Sequence, residues 1–140
     1  MTMLHRLFRD VGGATVVEFA LVAPVFLSMV FLTLEGGRML WLKQGLQDVA
    51  FSTARCIAVD PVNCDTDAKR KSYAVSRAAT TRIIISASDV VIQANQTCDG
   101  NAGQNKVSVT KAFNSPVNGF FPAAPTTLTS HACFPTLVAS

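Results

Sequence analysis

The feature that most constrains this chain is a long apolar stretch near its N-terminus, from Val11 to Leu34. The stretch holds one ionisable residue, Glu18, and follows a short leader that contains Arg6 and Arg9. A helix needs about 20 apolar residues to cross a bilayer. The length therefore predicts a membrane-spanning helix. The arginines before it predict a cytoplasmic N-terminus, with the rest of the chain on the other side of the membrane.

A secretory signal peptide is the first alternative for such a segment. Signal peptides have a shorter apolar core, and a small-x-small cleavage site closes it. Here the run is too long, and no such site precedes Glu35. Apolar residues then continue at helical spacings of three and four, at Met39, Leu42, Leu46, Val49 and Thr53. We therefore predict one helix over roughly residues 14–55.

Two residues are unusual for a simple membrane anchor. Glu18 lies within the apolar run, where a carboxylate costs about 2.5–3.5 kcal/mol on insertion scales. Pro24 removes one helical hydrogen bond, although membrane helices tolerate proline better than soluble ones. Either Glu18 lies close enough to the membrane edge to stay hydrated, or it pairs with an opposite charge.

The residues after the long helix predict a small α+β domain. Turn residues at 60–67 precede an alanine-, lysine- and arginine-rich stretch, which predicts a second helix from Asp67 to about Ile84. Asp65 or Thr66 is the expected helix cap. Alternating residues near Val90, over 106–113 and over 128–134 then predict three antiparallel strands. The segments 98–105 and 114–125 are predicted to be loops.

The four cysteines all follow the apolar stretch, at positions 56, 64, 98 and 133. An even number on one side of a membrane anchor predicts an oxidising compartment and two disulfides. A bridge between Cys56 and Cys64 would close the turn after the long helix, and Cys98 and Cys133 would then join the first strand to the last. Four cysteines allow three pairings, and the sequence does not choose among them.

The sequence contains no convincing enzyme, metal or cofactor motif. His131 and Cys133 are adjacent enough for a thiol–imidazole pair, but a disulfide at Cys133 would remove the nucleophile. The acidic residues near position 60 lack the glycine and terminal glutamate of a calcium-binding EF-hand loop. The formal net charge of +3 is too mild and too dispersed for a nucleic-acid interface. We predict a protein that is not an enzyme, has no cofactor and does not bind nucleic acid.

Gly12-Gly13 lies between the charged leader and the apolar run, and Glu18 is the fifth residue after Gly13. This spacing resembles the type IV prepilin class of signals. The ordered set of matching residues is longer, and it resembles the TadE-like family of minor pilins (pseudopilins) of tight-adherence pilus systems. The further matching positions are the run Val17–Val22, Pro24, Glu35, Gly37, Arg38, Gln44, Gln47 and Ala54-Arg55.

The resemblance implies a processing site and an assembly surface. A membrane prepilin peptidase would cut between Gly13 and Ala14, and Glu18, Phe19 and Pro24 would take part in assembly. Cleavage would create a new α-amino group on Ala14, which could pair with the Glu18 carboxylate of a neighbouring subunit. Such pairing would lower the cost of burying both charges.

The resemblance also implies location and partners. The protein would lie in a bacterial inner membrane with its N-terminus inside and its head in the periplasm, or in an extracellular pilus. Its partners would be the prepilin peptidase, other pilin subunits, the inner-membrane assembly platform and membrane lipid. The implied role is structural: assembly of a tight-adherence (Flp-type) pilus for surface attachment and biofilm formation.

The residue pattern and the resemblance together divide the chain into a leader (1–13), a transmembrane half-helix (14–35), an extracytoplasmic half-helix (36–55) and a disulfide-stapled α+β head (56–140). The alternative is an uncleaved single-span protein whose extracytoplasmic head binds a ligand or surface. This alternative predicts an intact leader and no association with pili.

Overall fold

A computed structural model of the chain describes residues 11–60, 62–98, 100–116 and 125–136. The leader before Val11 and the aromatic pair Phe120-Phe121 lie outside the described residues. The elements are helix α1 (Val11–Val59), helix α2 (Asp67–Thr80), a 3₁₀ turn (Ala87–Asp89), and strands β1 (Val90–Cys98), β2 (Asn101–Ala112) and β3 (Thr127–Pro135). The predicted α+β fold, with one long helix, a second helix and three strands, is confirmed.

The chain divides into two compact units, one ending at Gly37 and the other beginning at Arg38. In the second unit, the residues of α1 that were predicted to follow helical spacing do form the core. Leu46, Val49 and Thr53 are fully buried, and Met39 and Leu42 pack against the same cluster. The alanines of this helix at 50 and 54 are also fully buried. Their small side chains let neighbouring elements approach α1 closely.

Helix α2 begins where the turn chemistry predicts and ends earlier than predicted. The Thr66 hydroxyl caps it by accepting a hydrogen bond from the backbone N–H of Lys69 at 3.4 Å. The helix ends at Thr80 rather than near Ile84, because Arg82 adopts a left-handed φ of 59°. The backbone N–H of Ile83 then bonds the Ala78 carbonyl at 3.0 Å, which closes a Schellman-type helix end.

The three strands form one antiparallel sheet in the order β1-β2-β3. Val90 lies opposite Val109, and Val109 lies opposite Ser130 on the other side. These residues are at least 97% buried, because alternate positions along β2 and β3, together with the start of β1, face the core. The sheet therefore contributes one apolar face to the core, as the alternation predicted.

The predicted loop over 98–105 is wrong. Strand β1 continues to Cys98 and β2 already begins at Asn101, so the connection is a tight hairpin. Gly100 has a φ of +84°, which a residue with a Cβ adopts only at a cost. Irregular pairing on both sides of Gln96 accommodates the polar residues that suggested a loop.

Both disulfides form with the pairing Cys56–Cys64 and Cys98–Cys133. The first closes the turn that follows α1. The second joins the end of β1 to β3, the two strands on opposite sides of β2. The cysteines are separated by 8 residues in the first bridge and by 35 residues in the second.

Removing the longer bridge is expected to cost more stability than removing the shorter one. A disulfide restricts the unfolded chain more when it closes a longer loop, and typical contributions are about 2–4 kcal/mol. We expect the double variant Cys98→Ala/Cys133→Ala to lower the melting temperature of the full chain more than Cys56→Ala/Cys64→Ala does. Calorimetry in matched micelles measures both. The reverse order would contradict the loop-length explanation.

Candidate processing and assembly segment

The predicted processing and assembly residues lie on the first turns of α1. Gly13 is exposed, and a Cβ placed there would meet no atom within 4 Å. Glu18 follows on the same helix and is also exposed. The rise of about 1.5 Å per residue separates these two positions by roughly 7.5 Å along the helix axis. Both positions are open to another molecule.

The apolar part of α1 is exposed along its length. Phe19 is 73% exposed, and Phe26 and Phe31 are both more than 60% exposed. From Thr15 onward the helix is long and apolar enough to cross a membrane, and none of its most apolar window is buried. An apolar surface of this size in water would be very unfavourable. The arrangement suggests anchoring in a membrane.

Helix α1 runs through Pro24 without ending. Proline cannot donate the hydrogen bond that would reach back to residue 20. The Ser28 hydroxyl donates to the Pro24 carbonyl at 2.6 Å, and the Thr33 hydroxyl donates to the Met29 carbonyl at 2.8 Å. These bonds satisfy both hydroxyls within the helix itself, as required where no water is present.

The second half of α1 holds the sheet through polar side chains. The Arg38 guanidinium lies 4.8 Å from the centre of the Phe113 ring and donates a hydrogen bond to the Asn114 carbonyl. Gln47 donates from its side-chain amide to the His131 carbonyl on β3 at 2.9 Å. Two of the positions matched to the pilin family, Arg38 and Gln47, therefore attach the head to this helix.

Two further contacts link α1 with the rest of the second unit. The Ser130 hydroxyl on β3 donates to the Lys43 carbonyl at 3.2 Å. Arg77 of α2 forms an ion pair with Asp48 at 3.1 Å, and both side chains are more than 40% exposed. An exposed pair of this kind contributes about 0–1 kcal/mol. The buried apolar cluster therefore holds the two helices together, and the ion pair helps to fix the orientation of α2 on α1.

The turn after α1 is organised by Asp60. Its carboxylate accepts hydrogen bonds from the Asn63 side chain at 2.8 Å and from the backbone N–H groups of Asn63 and Val62. These bonds, the one from the Asn63 side chain foremost, hold the pKa of the exposed Asp60 carboxyl below its ordinary value. Asp60 thus acts as a turn residue, and among the described residues no group of three His, Cys, Asp or Glu side chains could hold a metal ion.

Taken together, these observations define a small α+β protein with a disulfide-linked head and an exposed apolar N-terminal helix. Residues 13–55 match the model of the family described as TadE-like protein. This confirms the resemblance predicted from the motif, over just under a third of the chain. The match associates the chain with tight-adherence pilus systems. No curated protein and no solved structure matches the chain significantly.

The contacts of Arg38 were not predicted from the sequence. Its partners Phe113 and Asn114 follow it by about 75 residues, and neither carries a motif that points to Arg38. The sequence offered one indication that Arg38 makes a specific contact: it is a charged residue at a position matched to the family, just after the apolar run.

Proposed function

We propose that this protein is a minor pilin (pseudopilin) that a prepilin peptidase cuts between Gly13 and Ala14. The observation that carries the proposal is that two boundaries lie within a few residues of each other. The family match begins at residue 13, and the last charged residue of the leader, Asp10, lies three residues earlier. The exposure of Gly13 supports access by a peptidase.

In this proposal the membrane holds the protein only before assembly. The N-terminus lies in the cytoplasm, the head lies in the periplasm, and α1 crosses the inner membrane. After cleavage, helix α1 leaves the lipid and packs against the helices of other pilin subunits at the assembly platform. The resulting tight-adherence pilus serves surface attachment and biofilm formation. The protein has a structural role and performs no catalysis.

The charges near the start of α1 support its proposed transfer from the membrane into the pilus. Cleavage creates an ammonium group on Ala14, four residues before the Glu18 carboxylate. Residues at this spacing share a helix face, so the two charges form a compact polar site in an otherwise apolar surface. The same two groups on neighbouring subunits can neutralise each other, whereas an unpaired charge opposes burial.

The cleavage step is tested by intact mass spectrometry of the protein from membranes with and without the prepilin peptidase. We expect an N-terminus at Ala14 when the peptidase is present and at Met1 or Thr2 when it is absent. A Gly13→Leu variant should stay uncut in both samples. The matched Gly12→Ala variant should be cut normally, because it leaves the residue before the cut unchanged.

The same measurement distinguishes the alternative, an uncleaved membrane-tethered binding module. That protein would keep residues 1–13 in both samples and would not appear in sheared pilus fractions. An unprocessed N-terminus in the presence of active peptidase, shown on a known pilin substrate in the same cells, would overturn the proposal.

A further inference from the structure

A polar groove lies in the second unit between α1 and the end of the sheet. Its volume is about 570 Å³, within the range of small-molecule binding sites, about 300–1,000 Å³. Helix α1 contributes Gln47 and Phe51, strand β2 contributes Asn101 and Gln104, and strand β3 contributes His131. One lining residue, Gln47, belongs to the pilin motif, but the proposed processing and assembly do not use this groove.

The groove combines neutral amides with an aromatic ring. Each amide of Gln47, Asn101 and Gln104 carries both a donor and an acceptor, so each can bind a hydroxyl in either direction. The Phe51 ring is 48% exposed and supplies an apolar surface at the same site. A sugar ring has matching chemistry, because its hydroxyl edge forms hydrogen bonds and its C–H face packs on aromatic rings.

The lining is held in place by the fold. The Gln47 amide is oriented by its 2.9 Å hydrogen bond to the His131 carbonyl. Phe51 packs edge to face against Phe134, with ring centres 6.1 Å apart. Because these side chains are already held in place, less conformational entropy is lost when a ligand binds.

The disulfide extends this support to the hairpin. Cys133 lines the groove and is bonded to Cys98, whose register partner is Asn101. The bridge therefore fixes the hairpin that carries Asn101 beside the strand that carries His131. The bridge adds to the β2–β3 pairing, which already places Gln104 opposite Pro135.

The charge of the lining residues and the backbone geometry at the groove limit the classes of ligand that it can bind. Among the lining residues that the structure describes, none is Asp, Glu, Lys or Arg. An amine would therefore lack an opposite charge, and the His131 imidazole would be the one basic side chain among these residues that an anion could meet. An added peptide strand is also disfavoured, because Gln47 already occupies the outward-facing His131 carbonyl on the β3 edge.

We propose that this groove binds a neutral saccharide, with the amides of Gln47, Asn101 and Gln104 contacting its hydroxyls and Phe51 packing against its ring face. The inference goes beyond the proposed pilus function, since it concerns the head and does not require cleavage of the leader. Sugar binding by the purified chain and processing in cells therefore succeed or fail separately.

The test uses the full chain in lipid nanodiscs, because detergents with glycoside headgroups would compete for the groove. The probe is an array of neutral oligosaccharides of glucose, galactose, mannose and N-acetylglucosamine, with sialylated and sulfated oligosaccharides as charged comparators. We expect binding to at least one neutral oligosaccharide. Gln104→Ala should weaken it about fivefold or more, the effect of losing one well-made hydrogen bond.

Helix α1 offers a matched pair of controls. Gln47 lines the groove, whereas Gln44 is exposed nearby on the same helix and does not. Gln47→Ala should weaken binding, and Gln44→Ala should leave it unchanged, with hydrogen exchange of β2 confirming that both variants fold. Three results would overturn the proposal: no binding to any neutral oligosaccharide, a preference for the charged ones, or equal binding by all variants.

Discussion

Replacing Glu18 by alanine is expected to leave processing intact and to reduce the amount of protein in assembled pili by at least about tenfold. Under the proposed function the peptidase acts at Gly13, five residues earlier, so the cut should not need the carboxylate. Assembly should need it, because the new Ala14 ammonium would otherwise enter a helix bundle without a partner. Breaking a buried ion pair by removing one partner costs about 3–5 kcal/mol, and 1.4 kcal/mol is tenfold.

Two measurements on the same cells distinguish the effect of Glu18→Ala on cleavage from its effect on assembly. Intact mass reports cleavage, and immunoblotting of sheared surface fractions reports incorporation into pili. Glu18→Gln is the closest variant in size, and it should show the same defect because it lacks the charge.

Ser28→Ala is the matched control for losing a polar side chain in the same apolar run. Its hydroxyl bonds the Pro24 carbonyl four residues earlier on the same helix, so its removal should leave assembly near the wild-type level. Normal piliation by Glu18→Ala, or an equal defect in Ser28→Ala, would contradict the role of charge pairing.

Replacing Leu46 by alanine is expected to destabilise the second unit by about 2–5 kcal/mol. Leu46 is fully buried in the cluster shared by both helices and the sheet. The shorter side chain leaves a cavity that the surrounding residues fill only in part. At the lower end of this range, the population of the open state rises roughly 30-fold.

Hydrogen exchange of the β2 amides measures this change without unfolding the apolar part of α1 that precedes Arg38. The amides of Val107 and Val109 exchange only when the sheet opens, because both residues are fully buried and lie in the central strand. Their exchange rates in the Leu46→Ala variant should rise by the factor given above.

Leu40→Ala provides the matched control on the same helix. Leu40 is 64% exposed, and surface substitutions usually change stability by less than about 0.5 kcal/mol. Equal exchange rates in the two variants would show that the core of the second unit does not depend on Leu46.

These two predictions assign different tasks to the two parts of α1. The part before Gly37 exposes apolar side chains and carries Glu18, which suits contact with lipid and then with other helices. The part from Arg38 onward buries Leu46 and Val49 and binds the sheet through Arg38 and Gln47. A single helix therefore combines an exposed apolar surface with the support for the head.

The sequence alone predicted the features that depend on local pattern. An apolar run of this length predicts the exposed helix, and spacings of three and four identify Leu46, Val49 and Thr53 as buried. The capping residues Asp65 and Thr66 mark the start of α2. The alternation of Val107 and Val109 identifies a strand. These properties follow from the geometry of a single helix or strand, so neighbouring residues suffice to reveal them.

Other features were decided only by tertiary structure. The sequence allowed three disulfide pairings, and folding the sheet in the order β1-β2-β3 brings Cys98 and Cys133 together across 35 residues. The early end of α2 and the tight hairpin at Gly100 depend on left-handed backbone conformations. The Arg38–Phe113 contact and the groove beside Gln47 join residues that are remote in sequence. Local patterns do not encode such proximity, because it arises only when separate elements pack against one another.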